Sequence, residues 1–188
     1  AALAMITRRV QIRSGSVVAP LHSPIRIAEE WSVVDNLSGG RAAISFASGW
    51  MPEDFVIRPD DFENRKEATF RHLETVRRLW RGESVDFTGP LGKTVAVRTL
   101  PRPIQAELPV WVTTAGNPET YEMAAKAGAT VVQPETPKTH ARSPATSTWR
   151  AFGAGNLLGR YAAITTVLVS IMRQTVPYRS VPVNCTDH

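Results

Sequence analysis

Three short segments of this sequence combine small residues, hydroxyls and turn-forming glycines in ways that suit the gripping of a ligand. Gly15-Ser16, with Pro20-Leu21-His22 close behind, brings a hydroxyl and an imidazole into one neighbourhood. His22 could act there as a proton donor, or be a plain turn residue beside prolines. Ala47-Ser48-Gly49-Trp50 offers a hydroxyl, a glycine that permits close backbone approach, and a flat apolar ring. A planar ligand could lie against Trp50, or the indole could pack on a rim. Thr114-Ala115-Gly116-Asn117-Pro118 reads as a strand end entering a helix capped by Asn117 and started by Pro118. Free N–H groups and the positive helix end converge at such a point, which suits phosphate, although a good helix start needs no ligand.

Other chemistries find no support. The chain has no G-x-S-x-G elbow, no Walker A sequence and no G-x-G-x-x-G after a strand. His22, His72, His140 and His188 show no metal-ligand spacing, so no metal is expected. Asp60-Asp61 and Glu29-Glu30 are adjacent pairs that point in different directions and read as solvated or capping residues. No single residue stands out as catalytic.

The elements that must carry these segments alternate between two periodicities. Val10 to Val18 is β-branched and partly alternating, which predicts one strand. A helix follows from Pro24 to Leu37, capped by Ser23, with Ile27, Trp31, Val34 and Leu37 on its inner face and Gly39-Gly40 at its end. Arg41 to Phe46 predicts a strand and Ala47 to Asp61 a loop. Asn64 with Glu67 suggests a capping box opening a second helix through Phe70, Leu73, Val76 and Trp80, ended by Gly82. Glu67–Arg71 and Glu74–Arg78 would support it as i,i+4 pairs, and His72 falls on its polar side. Val85–Phe87 and Val95–Val97 flank a Gly-Pro turn and predict a hairpin. Leu108 to Thr113 reads as a buried strand, a third helix runs from Pro118 to Gly128, and Ala129 to Val132 begins another strand. This is the order of parallel βαβ units. In a parallel α/β barrel the reactive groups sit at the C-terminal strand ends, where the three segments above fall, with a fourth such place just after Val132.

Composition narrows the partners. The chain has 188 residues, 43% hydrophobic and 21% charged, with no apolar run long enough for a membrane span. Ala1 to Ile6 is apolar, but no basic segment precedes it and Arg8-Arg9 follow, unlike a secretory leader. A lone Cys185 fits a reducing cytoplasm. The formal net charge of +5 does not point to nucleic acid, because residues 1–133 hold 16 Lys/Arg against 15 Asp/Glu. Arg77, Arg78 and Arg81 cluster on a helix that also carries Glu67 and Glu74, which reads as a solvated face. The basic excess lies in residues 134–188, which are rich in Pro, Thr and Ser up to Thr148.

Taken together, Ser16 to Pro24, Ala28-Glu29-Glu30-Trp31, Asp35 to Arg41, Gly49-Trp50, Pro101 to Gln105 and Leu108 to Val112 resemble the bacterial luciferase-like monooxygenases. Ser45 to Trp50 with Ala115 to Thr120 is most similar to the subgroup found in natural-product biosynthesis. The resemblance implies an α/β fold, a partial TIM (β/α)8 barrel over residues 1–133 that lacks N-terminal and C-terminal units. It leaves 134–188 as a tail unlike the family, read in a shifted frame or poorly ordered. It implies reduced FMN supplied by a separate flavin reductase, O2, a small or carrier-bound substrate, and a homo- or heterodimer. It puts a non-prolyl cis peptide at Gly15-Ser16, Ala47, Ser48 and Gly49 beside the flavin ring, and Ala115, Gly116 and Asn117 near its phosphate. His22 and Trp50 fall on the substrate side. Luciferases carry Cys and Arg where this chain has Ala47 and Ser48, and an acid where it has Ala115, so light emission is not implied. A deazaflavin-dependent oxidoreductase of the same fold and a catalytically inactive remnant are the competing readings.

Overall fold

The computed structural model describes residues 1–132 of the chain. The tail 134–188, with its Ala162 to Met172 run, lies outside the described residues. The first element is a short helix, α1 (Ala2–Ile6), followed by strands β1 (Ile12–Arg13) and β2 (Val17–Val18). Helix α2 (Pro24–Ser38) leads to β3 (Ala42–Ala47), and α3 (Arg65–Arg81) leads to the hairpin β4 (Val85–Thr88) and β5 (Thr94–Val97). Strand β6 (Val110–Thr113), α4 (Pro118–Lys126) and β7 (Thr130–Val132) complete the described chain.

The strands β1, β3, β6 and β7 lie side by side in that order and every pairing is parallel, with β2 also on β3. Sequence neighbours are spatial neighbours throughout, with no reversal of order. That is the wall of a barrel and not a doubly wound sheet, whose order reverses at a switch point. Among the described residues the hairpin β4–β5 pairs only with itself, as its turn predicts.

The single strand expected over Val10 to Val18 is in fact two. Arg13 pairs with Ala43 and Val17 with Phe46, so Ser14, Gly15 and Ser16 stand opposite only Ile44 and Ser45. One extra residue on the outer stave makes a bulge there, and bulges re-aim side chains at strand ends. Alternation along the paired strands does the rest. Ile44 and Phe46 of β3, with Val110 and Val112 of β6, join a core under Ala28, Trp31, Leu73, Val76, Leu79 and Trp80 of α2 and α3. Ser45, Trp111 and Thr113 fall on the opposite face, where the Arg13 guanidinium lies 4.6 Å from the Trp111 ring centroid.

Several local expectations are corrected. Helix α2 does not bury Leu37, which is 41% exposed. Its inner face is rotated to Asp35, which is fully buried because its carboxylate has backbone to serve. Asp35 Oδ2 accepts from the amides of Ile104 (2.8 Å) and Gln105 (2.9 Å), and Oδ1 accepts from Gln105 Nε2 (2.7 Å) and the Ala42 amide (3.4 Å). The helix stops at Gly39, whose φ of 71° is left-handed and suits a residue without Cβ. Ser23 and Asn64 hold the N-terminal positions of α2 and α3 without a side-chain capping bond. Of the two i,i+4 pairs, Glu74–Arg78 is replaced: Arg78 reaches Glu83 at 2.8 Å and Glu74 meets Arg81 at 3.8 Å, while Glu67–Arg71 is not among the ion pairs of the described residues. The basic cluster is not simply a solvated face, since Arg77 donates to the carbonyls of Ala127 and Gly128. The loop Ala47 to Asp61 contains two 3-10 turns, Pro52–Ile57 and Pro59–Asp61. Among the described residues no helix is long and apolar enough to cross a membrane.

Candidate functional site

The C-terminal ends of the parallel strands are where the three sequence segments reach the surface. At the first stave the peptide bond Gly15–Ser16 is cis. The bulge turns Ser16 toward its neighbours: its Oγ donates to Ser45 Oγ at 3.2 Å and lies 2.6 Å from Thr113 Oγ1. Ser45 Oγ and Thr113 Oγ1 are themselves 2.8 Å apart. Three hydroxyls from three adjacent staves thus meet. They are braced from behind by Ser14, whose Oγ donates to the Ser45 carbonyl (3.1 Å) and accepts from the Ser45 amide (2.8 Å).

Next to this cluster Ala47 pairs with Val18, and the chain turns away through Ser48 and Gly49. Gly49 has a φ of 76°, and a Cβ there would stand 2.9 Å from Val18 Cγ1 and 3.0 Å from Phe55 Cε2. Only glycine lets the loop pass so close to the first stave. Phe55, buried beneath, holds the loop by an edge-on contact with Phe62 at 5.1 Å between centroids.

The third segment begins at Thr114, buried, whose amide donates to the Val132 carbonyl and whose Oγ1 accepts from the Asn117 amide at 3.3 Å. Asn117 Oδ1 caps α4 by accepting from the Glu119 amide at 3.0 Å, as expected from its place before Pro118. Thr120 and Tyr121 amides bond to the Asn117 carbonyl. The first helical donors are therefore occupied. The exposed amides of Ala115 and Gly116 have no acceptor among the described residues, so the turn before the helix carries the free donors.

His22 ends the turn Ala19–Leu21 that follows β2. Burial pushes its imidazole below the ordinary value, Glu30 opposes this, and Arg58 adds to it. His72, expected at the surface, is instead half-buried, and its Nδ1 lies 2.9 Å from the Ala19 carbonyl. The bond pins the turn that carries His22, and burial lowers the His72 imidazole as well. Trp50 is 78% exposed. No hydrogen bond joins His22 or Trp50 to the three hydroxyls.

The structure thus joins Ser16 directly to the ends of the next two staves, places Ala47, Ser48 and Gly49 against the first, and brings Ala115 to Asn117 in immediately after Thr113. Sequence reasoning missed Ser45 and Thr113 and put His72 at the surface. A signal existed for the first two: each is a lone hydroxyl in an otherwise apolar parallel strand, AAISFA and VWVT.

The family profile described as luciferase-like monooxygenase matches residues 1–156, running past the expected boundary at 133. The oxygenase component of a flavin-dependent trigonelline monooxygenase from Acinetobacter baylyi is 28% identical over 132 residues, 69% of this chain and 36% of the relative. Among solved structures, the monooxygenase RslO1 from Streptomyces bottropensis superposes with a TM-score of 0.62 at 29% identity, covering 86% of this chain and 47% of that one. The oxygenating constituent of 3,6-diketocamphane monooxygenase from Pseudomonas putida, solved with FMN, gives 0.58 at 15% identity over 70% of this chain and 40% of its own, and shares the fold. The chain spans less than half the length of these relatives. With the profile matching well over half of its residues, the chain belongs to the luciferase-like monooxygenase family.

Proposed function

We propose that the protein acts as an FMN-dependent monooxygenase, taking reduced flavin from a separate reductase and using O2 to oxidise a small or carrier-bound metabolite in the cytoplasm. The observation that carries this reading is the meeting of strand ends at Ser16, Ser45 and Thr113 beside the amides of Ala115 and Gly116, which have no acceptor among the described residues. The donor set fits the cofactor. Small hydroxyl side chains and a glycine-lined approach suit the faces and polar edge of a fused ring, and paired backbone N–H groups before a helix suit its phosphate. Gly15, Ser16, Ala47, Ser48 and Gly49 would bear on the ring, and Ala115, Gly116 and Asn117 on the phosphate end. Bound reduced flavin supplies the electrons that activate O2, and the protein orients the cofactor and keeps water from it. His22, held toward its neutral form, and Trp50 would face the substrate. The oxygenase component from Acinetobacter supports a reductase on a separate chain. The Ser45 to Trp50 and Ala115 to Thr120 stretches support a role in natural-product biosynthesis.

Titration of the full chain with FMN, riboflavin and a deazaflavin tests the reading. We expect FMN to bind about tenfold or more tightly than riboflavin, because a phosphate held by two amides contributes charge-assisted bonds. Preference for the deazaflavin would favour the hydride-transfer chemistry of that cofactor class, and binding of none of the three would leave an inactive barrel segment.

A further inference from the structure

The Ala19 carbonyl, in the turn that follows β2, accepts twice: from the His22 amide at 3.0 Å and from His72 Nδ1 at 2.9 Å. Two imidazole-bearing residues are thereby held at one oxygen. A carbonyl only accepts, so Nδ1 of His72 carries a proton and Nε2 of the neutral ring is bare. The same turn packs against the 3-10 turn Pro52–Ile57 of the loop after β3, which ends at Arg58. The Arg58 backbone is anchored on both sides: its amide donates to the Phe55 carbonyl at 2.9 Å, and its carbonyl accepts from the Asp61 amide at 3.2 Å. Its side chain is not. Among the described residues the guanidinium makes no hydrogen bond, and its ion pair with Asp61 spans 3.8 Å. Arg58 is also the cation common to both imidazoles, adding to burial in holding each toward its neutral form, with Arg71 adding at His72. The carboxylates that oppose this are poorly placed to relieve it. Glu30, facing His22, is held by Arg26 at 2.6 Å, and Asp61, facing His72, stands at the long distance already given. Three groups that would each favour a nearby negative charge therefore stand together. They lie at the ends of β2 and β3, which pair at Val18 and Ala47, on the same end of the sheet as the three hydroxyls.

We propose that Arg58, His22 and His72 form a subsite for an anionic group of the substrate, a carboxylate or a phosphate ester. As a substrate subsite it rests on the flavin reading given above; as an anion site it can be read with no flavin present. An anion set among these groups takes up the spare donors of Arg58 and cancels the repulsion that keeps the imidazoles neutral. The rings then gain protons, and Nε2 of His72 turns from a bare lone pair into a donor. Anion binding is thus linked to proton uptake. Because the bound anion favours the charged imidazoles, affinity rises as pH falls through their titration range.

The test follows the imidazole resonances of the full chain by NMR while sulfate or acetate is added, with chloride at equal ionic strength as control. Sulfate stands for a phosphate ester and acetate for a carboxylate, so the stronger of the two reports which group the subsite takes. We expect saturable shifts of both rings, upward movement of both titration midpoints, and binding about tenfold tighter at about pH 5.5 than at about pH 7.5. Arg58→Gln should weaken binding about tenfold and, with no anion added, raise both midpoints, which a merely structural arginine would not do. His72→Asn keeps an N–H for the Ala19 carbonyl in the place of Nδ1 and should reduce the pH dependence. It also supplies the reading if Arg58→Gln does not fold. Imidazoles indifferent to both anions, or an affinity unmoved by these variants, would overturn the subsite while leaving flavin binding untouched. Displacement of sulfate by FMN but not by riboflavin would give the cluster to the cofactor phosphate and overturn its assignment to substrate. Anion binding in a chain that takes no flavin would keep the anion site and remove its role in oxygenation, together with the flavin reading.

Discussion

The two ends of the parallel strands use polar side chains in opposite ways. At the N-terminal end, Asp35 spends its carboxylate on three main-chain amides and the Gln105 side chain, and Gln105 Nε2 goes on to the Ala42 carbonyl at 2.8 Å. Arg41 does the same with opposite charge, donating to the carbonyls of Ala4, Thr7, Val10 and Ser38. Ionised groups there are consumed in tying α1, α2 and the Pro101 to Gln105 segment to the start of β3. At the C-terminal end the groups are neutral, they bond to one another across staves, and the neighbouring amides of Ala115 and Gly116 have no acceptor among the described residues. One end is satisfied, and the other keeps donors without an acceptor among the described residues. Much of the family likeness, Asp35 to Arg41 and Pro101 to Gln105, belongs to the satisfied end. Those residues carry the family likeness at the end whose polar groups are spent on main chain.

Breaking the satisfied end should give the largest effect. Asp35→Ala strands three amides and an amide side chain in a buried site, and we expect a loss of about 3–5 kcal/mol of stability by urea unfolding. A loss below about 1 kcal/mol would mean that the two ends do not differ as described. A smaller effect is expected where the open end meets α4. Asn117→Ala removes the capping oxygen over the Glu119 amide and should cost about 1 kcal/mol, read in the same unfolding experiment. Asn117→Asp should retain most of it, since a carboxylate caps as well and favours the helix N-terminus.

The smallest effect is a pH dependence that sharpens the comparison, because the open end holds the perturbed imidazoles. Burial lowers both His22 and His72 from the ordinary 6.5. Around His72 the Ala19 carbonyl and Asp61 oppose the shift while Arg71 and Arg58 add to it; around His22, Glu30 opposes and Arg58 adds. The unfolded chain therefore takes up protons as pH drops through 6.5 before the folded chain does. Stability should fall on acidification below 6.5 and level off once the folded imidazoles are also protonated. His72→Gln should flatten that acid limb in urea midpoints measured across the range; an unchanged slope would place the titrating group elsewhere.

Much of this is legible in the sequence. The βαβ order, the hairpin and the Asn117 cap follow from local rules: β-branched runs, turn glycines, and a side-chain oxygen that reaches an amide two residues on. Rotation of α2 was not legible. Leu37 fits the apolar period as well as any residue, and nothing local says that Asp35 will be drawn inward by amides 69 and 70 residues away. His72 was misjudged for the same reason, its acceptor being the Ala19 carbonyl 53 residues upstream.

The sequence alone determined which segments are staves, which are helices, and that small or hydroxyl residues stand at the strand ends. Those properties depend on neighbours within a turn or two of the same chain. Only the tertiary structure decided that Ser16, Ser45 and Thr113 share one ring, because that requires the one-residue bulge between β1 and β2 and the register of β3 against β6. A shift of either strand by a single residue would turn the hydroxyls to the opposite face. Strand register is fixed by the packed core as a whole, and no stretch of sequence read by itself contains it.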